Sequence, residues 1–248
     1  MYYTGPMAID YSIIIPAYNE SKYLPDTLQN INQAMSTYAL QGEIIVTDNN
    51  STDNTAELAK QQGAKVVFEP VNQISRARNA AARIAVGKYL VFVDADTHIN
   101  PELLKTALDN LQSGHCCGGG SVVTFDHDVT PWQARGLAVW TWISTRLKLG
   151  AGSFLYCTRE DFETIGGFSE AVYASEEIWF SRNIKRLESN KTKTFRIITE
   201  HPVISSGRKF EWFGPWKQLL LLIMLTVFPY AVFFKHFCSF WYKRPKED

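Results

Sequence analysis

The residues best suited to chemistry stand in three short groups, each directly after an apolar, β-branched run. Tyr11–Pro16 leads into Pro16-Ala17-Tyr18-Asn19-Glu20. Glu43–Thr47 leads into Asp48-Asn49-Asn50-Ser51-Thr52-Asp53. Tyr89–Val93 leads into Asp94-Ala95-Asp96-Thr97. Asp94 and Asp96 are the sharpest pair. Alternate residues of a strand face opposite ways, but the turn leaving a strand can bring both carboxylates to one ion. Hard oxygen ligands with open positions suit Mg²⁺ or Mn²⁺ carrying a diphosphate, and such an ion neutralises a leaving phosphate. Asp-x-Asp alone is a common pattern, and Asp53 alone could simply cap a helix. Three polar strand ends meeting at one crevice carry more weight, because open α/β sheets bind ligands beyond their C-terminal strand ends.

The elements that must position these groups follow from the pattern. Continuous apolar runs at Tyr11–Pro16, Glu43–Thr47, Lys65–Phe68 and Tyr89–Val93 suit central strands of a parallel sheet. Helical patterns lie between and after them at Lys22–Tyr38, Asp53–Gln62, Ser75–Val86 and Pro101–Gln112. Asn100 before Pro101 reads as an N-cap with Pro at the first position, and Gly63 ends the second helix. The alternation predicts right-handed βαβ units with helices on both sheet faces. The second half is less regular: strands at Gly118–Phe125, Ser153–Cys157 and Thr194–Thr199, helices at Trp132–Leu147 and Ser175–Leu187. Neither Gly-x-Gly-x-x-Gly nor Gly-x-x-x-x-Gly-Lys-Ser/Thr occurs, so basic side chains and a metal must hold phosphate. Arg76 and Arg78 open the third helix, where positive charge opposes the helix dipole; a nearby anion or carboxylate is expected.

Taken together, Ile15–Glu20, Asp48–Asp53, Ala77-Arg78-Asn79 and Val93–Asp96 resemble the family 2 glycosyltransferases, with Gly166-Gly167-Phe168 and Glu176-Glu177 downstream. The likeness runs over roughly residues 10–210. It implies the α/β GT-A fold, a Rossmann-like, mostly parallel central sheet flanked by helices. It also implies a nucleotide-diphospho-sugar donor, with Pro16, Ala17, Tyr18 and Glu20 lining the nucleotide pocket and Asp48 pairing with the base, usually uracil. Asn50 and Ala95 belong to the same binding motifs. Arg78 and Asn79 would sit near the base or diphosphate. Asp94 and Asp96 would hold the metal, Asp96 more directly, with His201 the nearest candidate for a third ligand. Arg208 would lie over the diphosphate. The acidic pair would supply the general base. The family usually has Glu-Asp where this chain has Glu176-Glu177; the second position favours Glu177 and leaves Glu176 open. The acceptor would be a hydroxyl, attacked onto the anomeric carbon with inversion.

Other features bound the reading. The chain has 248 residues, 46% of them hydrophobic, enough for a full core. Twenty-five Lys and Arg balance 25 Asp and Glu, which argues against a nucleic-acid partner. Four scattered cysteines form no disulfide framework or zinc pattern, which points to a reducing compartment. No signal peptide is evident at the N-terminus. Trp132, Trp140 and Trp142 could stack on sugars, touch lipid or pack in the core; Gly118–Gly120 could admit the donor or form a bulge. Residues 1–210 read as the catalytic domain and 211–248 as an apolar appendage. Leu219–Phe234 carries no charge, is interrupted by Pro229, and is flanked by Trp212, Phe213, Trp216, Trp241 and Tyr242. As a helix it would span ~24 Å against the ~30 Å hydrocarbon core. The expectation is a membrane-associated helical segment, spanning or interfacial, on the cytoplasmic face, which makes lipid-linked acceptors or polysaccharide precursors plausible substrates. Two rivals remain. Tyr89–Thr97 also resembles the nucleophile strand of haloacid-dehalogenase phosphohydrolases, with Asp94 as nucleophile. A membrane-tethered subunit that binds sugar nucleotide without catalysis is the other.

Overall fold

The protein was analysed as a computed structural model that describes residues 8–127, 130–188, 193–208, 229–238 and 242. The first half builds as its pattern demands. Strands β1 (Tyr11–Ala17), β2 (Gly42–Asp48), β3 (Lys65–Phe68) and β4 (Tyr89–Val93) alternate with helices α1 (Leu24–Ser36), α2 (Thr55–Gln61) and α3 (Ile74–Ile84). A two-residue strand β5 (Thr97–His98) precedes helix α4 (Pro101–Gln112), whose Asn100 cap accepts from Leu103 N at 2.7 Å. Then come β6 (Cys116–Phe125), α5 (Pro131–Leu147), β7 (Phe154–Thr158), α6 (Arg159–Thr164), α7 (Glu176–Leu187) and β8 (Thr194–Ser205). The six-residue α6 and the short β5 are too brief to leave a periodic signal.

The eight strands form one sheet in the order β3-β2-β1-β4-β7-β6-β8-β5. β3, β2, β1 and β4 are mutually parallel, as read from sequence. β7 then runs antiparallel to both β4 and β6, and β5 antiparallel to β8. β6 and β8 pair in parallel, so all strands but β7 and β5 share one direction, and the sheet is mixed but mostly parallel. Helices separate the later strands too, yet β7 enters antiparallel between β4 and β6, so strand–helix alternation alone does not set strand direction.

Period-2 alternation sorts the core into two layers. Ile13 and Ile15 face α1 and α4, packing with Leu24, Leu28, Ile31, Leu103 and Leu104. Ile14 faces the other layer with Ala81, Phe92, Phe162, Phe168 and Phe180. Each fully buried side chain of this size is worth about 1.5–3 kcal/mol. In the second layer Phe168 stacks on Phe180 at 4.8 Å and meets Phe92 edge-on at 5.0 Å. This aromatic cluster fixes α7 against the sheet: Glu176, Phe180 and Ile184, at helical spacing, make its buried face.

Gly119 is needed for close packing of β6, because a Cβ there would strike the Arg196 carbonyl and the Tyr156 ring. Trp132 and Trp142 are not core; both are exposed on α5, while Trp140 is half-buried. In the C-terminal run, residues 219–228 lie outside the described set, and Pro229–Phe233 is a 3-10 turn. Among the described residues no helix is long and apolar enough to cross a membrane.

Candidate active site

The C-terminal ends of β1, β2 and β4 open onto one cleft. Pro16, Ala17, Tyr18 and Glu20 line it from the first strand end; Asp94, Ala95 and Asp96 line it from the fourth. The convergence expected from the three motifs is therefore present, with Asn49 representing the second.

Asp48 and Asn50 do not line this cleft. The Asp48 carboxylate accepts from Ser51 N at 2.9 Å, closing the turn after β2. Asn50 is exposed and left-handed, with φ 66°. Between them Asn49 is buried. Its amide donates to the carbonyls of Glu69 (3.0 Å) and Val71 (2.7 Å) and accepts from Gln73 N at 2.9 Å. It thus ties the β2 end to the start of α3. The alternation of strand residues carries Asn49 inward, which its neighbours' polarity hid.

Arg78 is the centre of the charge network. Although wholly buried, its guanidinium donates to Glu176 Oε1 (2.7 Å), Asp94 Oδ1 (2.9 Å) and the Gly152 carbonyl (2.9 Å), and lies 5.2 Å from the Phe168 ring centre. Burial alone would lower its pKa; the Asp94 and Glu176 carboxylates hold it above its ordinary value. Arg76 pairs with Glu69 (3.1 Å) and Glu170 (2.8 Å), so both arginines found the carboxylates expected of them. Asn79, expected near the donor, points elsewhere. Its amide group donates to the Phe168 carbonyl and accepts from Phe168 N, each at 2.9 Å, so it holds the Gly166-Gly167-Phe168 turn.

The acidic pair separates by helix geometry. Consecutive helical residues point about 100° apart. Glu176 turns inward to Arg78. Glu177 is half-buried, and a Cβ on Gly152 would stand 4.0 Å from its carboxyl carbon and 3.3 Å from Arg78 Nη2. Both acids therefore flank the guanidinium that also holds Asp94. Burial, then the Glu176 charge, push the Glu177 carboxyl up to about 8.

At the other end of the cleft, Arg208 donates to both Glu20 oxygens at 2.6 Å, pairs with Asp96 at 2.9 Å and stacks 4.1 Å from the Tyr23 ring centre. Strand pairing brings it there: β5 registers Thr97 against Ser205, and Ser206 N donates to the Asp96 carbonyl at 3.1 Å. Asp94 and Asp96 offer hard oxygens to one cleft, which suits a divalent ion whose other positions a diphosphate fills. Among the described residues no group of three His, Cys, Asp or Glu side chains is arranged to hold a metal, so His201 does not join them as a third ligand.

The cleft also has a wall absent from every motif. Asn72, Ile74 and Tyr242 line it too, and Tyr242 comes from the C-terminal segment.

A mixed sheet with an acidic pair at the end of its fourth strand defines the GT-A class of nucleotide-sugar transferase folds. The family model for Glycosyl transferase family 2 matches residues 12–169, and the chain belongs to that family. A mannosyltransferase from Pyrobaculum calidifontis, solved with GDP-mannose and Mn²⁺, superposes with TM-score 0.62 at 20% identity, covering 81% of this chain and 57% of that one. TarS residues 1–349 from Staphylococcus aureus, solved with UDP-GlcNAc, superposes with TM-score 0.61 at 19% identity, covering 80% and 59%. Among curated relatives, the 4,4'-diaponeurosporenoate glycosyltransferase of Staphylococcus haemolyticus is 38% identical over 98 residues, which is 37% of this chain and 25% of that enzyme. The curated relatives are thus matched over a quarter of their length or less in this case and in TarS, at 19%. Family membership accounts for the first two strand-end motifs, which a phosphohydrolase built on Asp94 would leave unused.

Proposed function

We propose that the protein is an inverting glycosyltransferase that moves a sugar from a nucleotide-diphospho-sugar, a UDP-sugar foremost, to a hydroxyl acceptor. One observation carries the reading. The buried Arg78 guanidinium joins Asp94 in the donor cleft to the acidic pair, and leaves Glu177 as the acid whose proton affinity is raised toward neutrality. A base poised near the working pH is best placed to take a proton.

The acceptor oxygen attacks the anomeric carbon from the face opposite the diphosphate. The new C–O bond forms as the bond to the diphosphate oxygen breaks, Glu177 takes the hydroxyl proton, and the nucleoside diphosphate leaves. Arg78 holds Asp94 and Glu176 in place. Pro16, Ala17, Tyr18 and Glu20 shape the donor cleft. Asp94 and Asp96 would hold Mg²⁺ or Mn²⁺, which when bound supplies charge neutralisation for the diphosphate. Arg208 pairs with Asp96 and Glu20, both of which line the same cleft.

We further propose membrane association at the cytoplasmic face, with a lipid-linked or polysaccharide-precursor acceptor. The exposed Trp132, Val139 and Trp142 on α5, the exposed Tyr230 and Phe234, and the uncharged stretch that precedes them support this reading. The deciding experiment incubates the purified chain with UDP- and GDP-sugars, Mn²⁺ or Mg²⁺ and hydroxyl acceptors. Nucleoside diphosphate release with an inverted anomeric centre by NMR is expected. A retained anomer refutes the single displacement; donor binding without any product favours a non-catalytic subunit.

A further inference from the structure

The C-terminal segment lies beyond the 12–169 family match and beyond every strand-end motif, yet its described residues are docked on the catalytic body. Tyr173 N donates to the Val232 carbonyl at 2.6 Å. Val232 and Cys238 are buried with Val172 and Ala174, while Tyr173, Trp179 and Tyr242 pack around them. The Val172 carbonyl in turn accepts from the Gln73 amide at 2.9 Å, just before α3. Tail, the 170–174 loop and the start of α3 therefore form one packed unit beside the cleft.

Tyr242 is the residue this unit presents to the cleft. Its hydroxyl accepts from Ile74 N at 3.4 Å, at the first turn of α3, where backbone donors lack helical partners. Its ring meets Tyr173 edge-on at 6.0 Å. Lys235 lies 5.0 Å from the Tyr242 ring centre and donates to the Asn72 carbonyl at 2.7 Å, so a second tail residue grips the same rim. Asn72, Ile74 and Tyr242 face the cleft together.

The cleft's two ends differ in chemistry. Asp94, Asp96 and the guanidinium groups crowd the β4 end, which suits a diphosphate and its counter-ion. The far wall, beyond the β2 and β3 ends, has amide, apolar and aromatic groups, which suit a nucleoside. An aromatic face at such a wall takes a base by stacking, and this interaction tolerates any base. We propose that Tyr242 is a donor-binding residue that supplies the aromatic wall for the nucleoside diphosphate, so that nucleotide recognition by this chain requires its C-terminal segment. The inference rests on reading the cleft as the donor site.

The test uses the full chain and two probes, UDP and GDP, titrated by calorimetry with Mn²⁺ present. Wild type should bind at least one of them. Tyr242→Ala should weaken that binding about 10-fold or more, while Tyr242→Phe, which keeps the ring, should stay within about 3-fold. Hydrogen exchange on wild type supplies a readout that needs no variant. The bound nucleotide should slow exchange in the peptide around Tyr242 as well as at the β1 end. Equal affinity of wild type and Tyr242→Ala overturns the proposal while leaving the donor cleft intact. If Tyr242→Ala does not fold, protection at the β1 end without protection around Tyr242 overturns it equally. Failure of wild type to bind either probe overturns the donor-cleft reading and this inference with it.

Discussion

Glu177 illustrates how one methylene and one helical step decide a residue's chemistry. Its neighbour Glu176 spends its carboxylate on Arg78, inside the aromatic layer. Glu177→Gln keeps the size but cannot take a proton, and turnover should fall by ~10²–10⁴ with donor affinity nearly unchanged in steady-state kinetics. The base must be ionised to act, so kcat/KM of wild type should climb with pH through about 8, the value to which burial and Glu176 push Glu177. Stability moves the opposite way. The folded value stands above the ordinary 4.5, so the folded chain holds the proton more tightly than the unfolded one. That contribution is complete below the ordinary value and is lost as pH rises through about 8. Glu177→Gln should therefore raise Tm at about pH 9 and leave it nearly unchanged at about pH 4; a Tm difference independent of pH would contradict the shift. At the other end of the cleft, Asp96→Ala removes one of the proposed oxygen ligands and the ion pair that Asp96 makes with Arg208. Mn²⁺-dependent donor affinity should drop about 10-fold or more by calorimetry, and unchanged affinity would dismiss the metal assignment.

At the scale of elements, the turn before α7 matters more than its exposure implies. Gly167 has φ 76°, and a Cβ there would stand 2.7 Å from Asn79 Oδ1. Asn79 in turn holds Phe168, whose ring packs on Phe180 and beneath Arg78. Gly167→Ala combines left-handed backbone strain with loss of the Asn79 contacts and should cost about 2–4 kcal/mol in denaturant unfolding. Because the turn sets α7, turnover should fall further than nucleotide affinity. A variant as stable as wild type would show that Asn79 and the turn can relax independently.

For the whole molecule, the distribution of exposed apolar groups is the feature to test. α5 buries only Ser144, and leaves Trp132 and Trp142 at 59% and 67% exposure. Such indoles favour the lipid headgroup layer. The full chain should co-float with vesicles containing anionic lipid, and Trp132→Ser with Trp142→Ser should lower the floating fraction about threefold or more. Retention of the wild-type chain at the bottom of the gradient would refute membrane association. A double variant that floats as well as wild type would move the contact from α5 to the C-terminal run.

The first four strands and α1 to α4 were legible because each is a local pattern: an apolar run or a 3.6-residue stripe bounded by Asn100, Gly63 or Pro101 reports itself without reference to the rest of the chain. Asp94 and Asp96 after β4 do line the cleft, whereas Asp48 after β2 closes a turn, a use its position in the pattern did not reveal. Three things depended on contacts remote in sequence. β7 runs antiparallel because its register with β4 and β6 is set across the sheet, where no local period records direction. Only resemblance favoured Glu177 over Glu176; the physical separation of the two comes from Arg78, 98 residues away, which takes Glu176. Tyr242 read as an interfacial aromatic, because its type and apolar neighbourhood suit a membrane as well as a pocket. Only the docking of Val232 and Cys238 against Val172 and Ala174 places it at the cleft. Composition and period determine which face of an element is apolar, whereas the partner that covers that face is chosen by the packing of the whole chain.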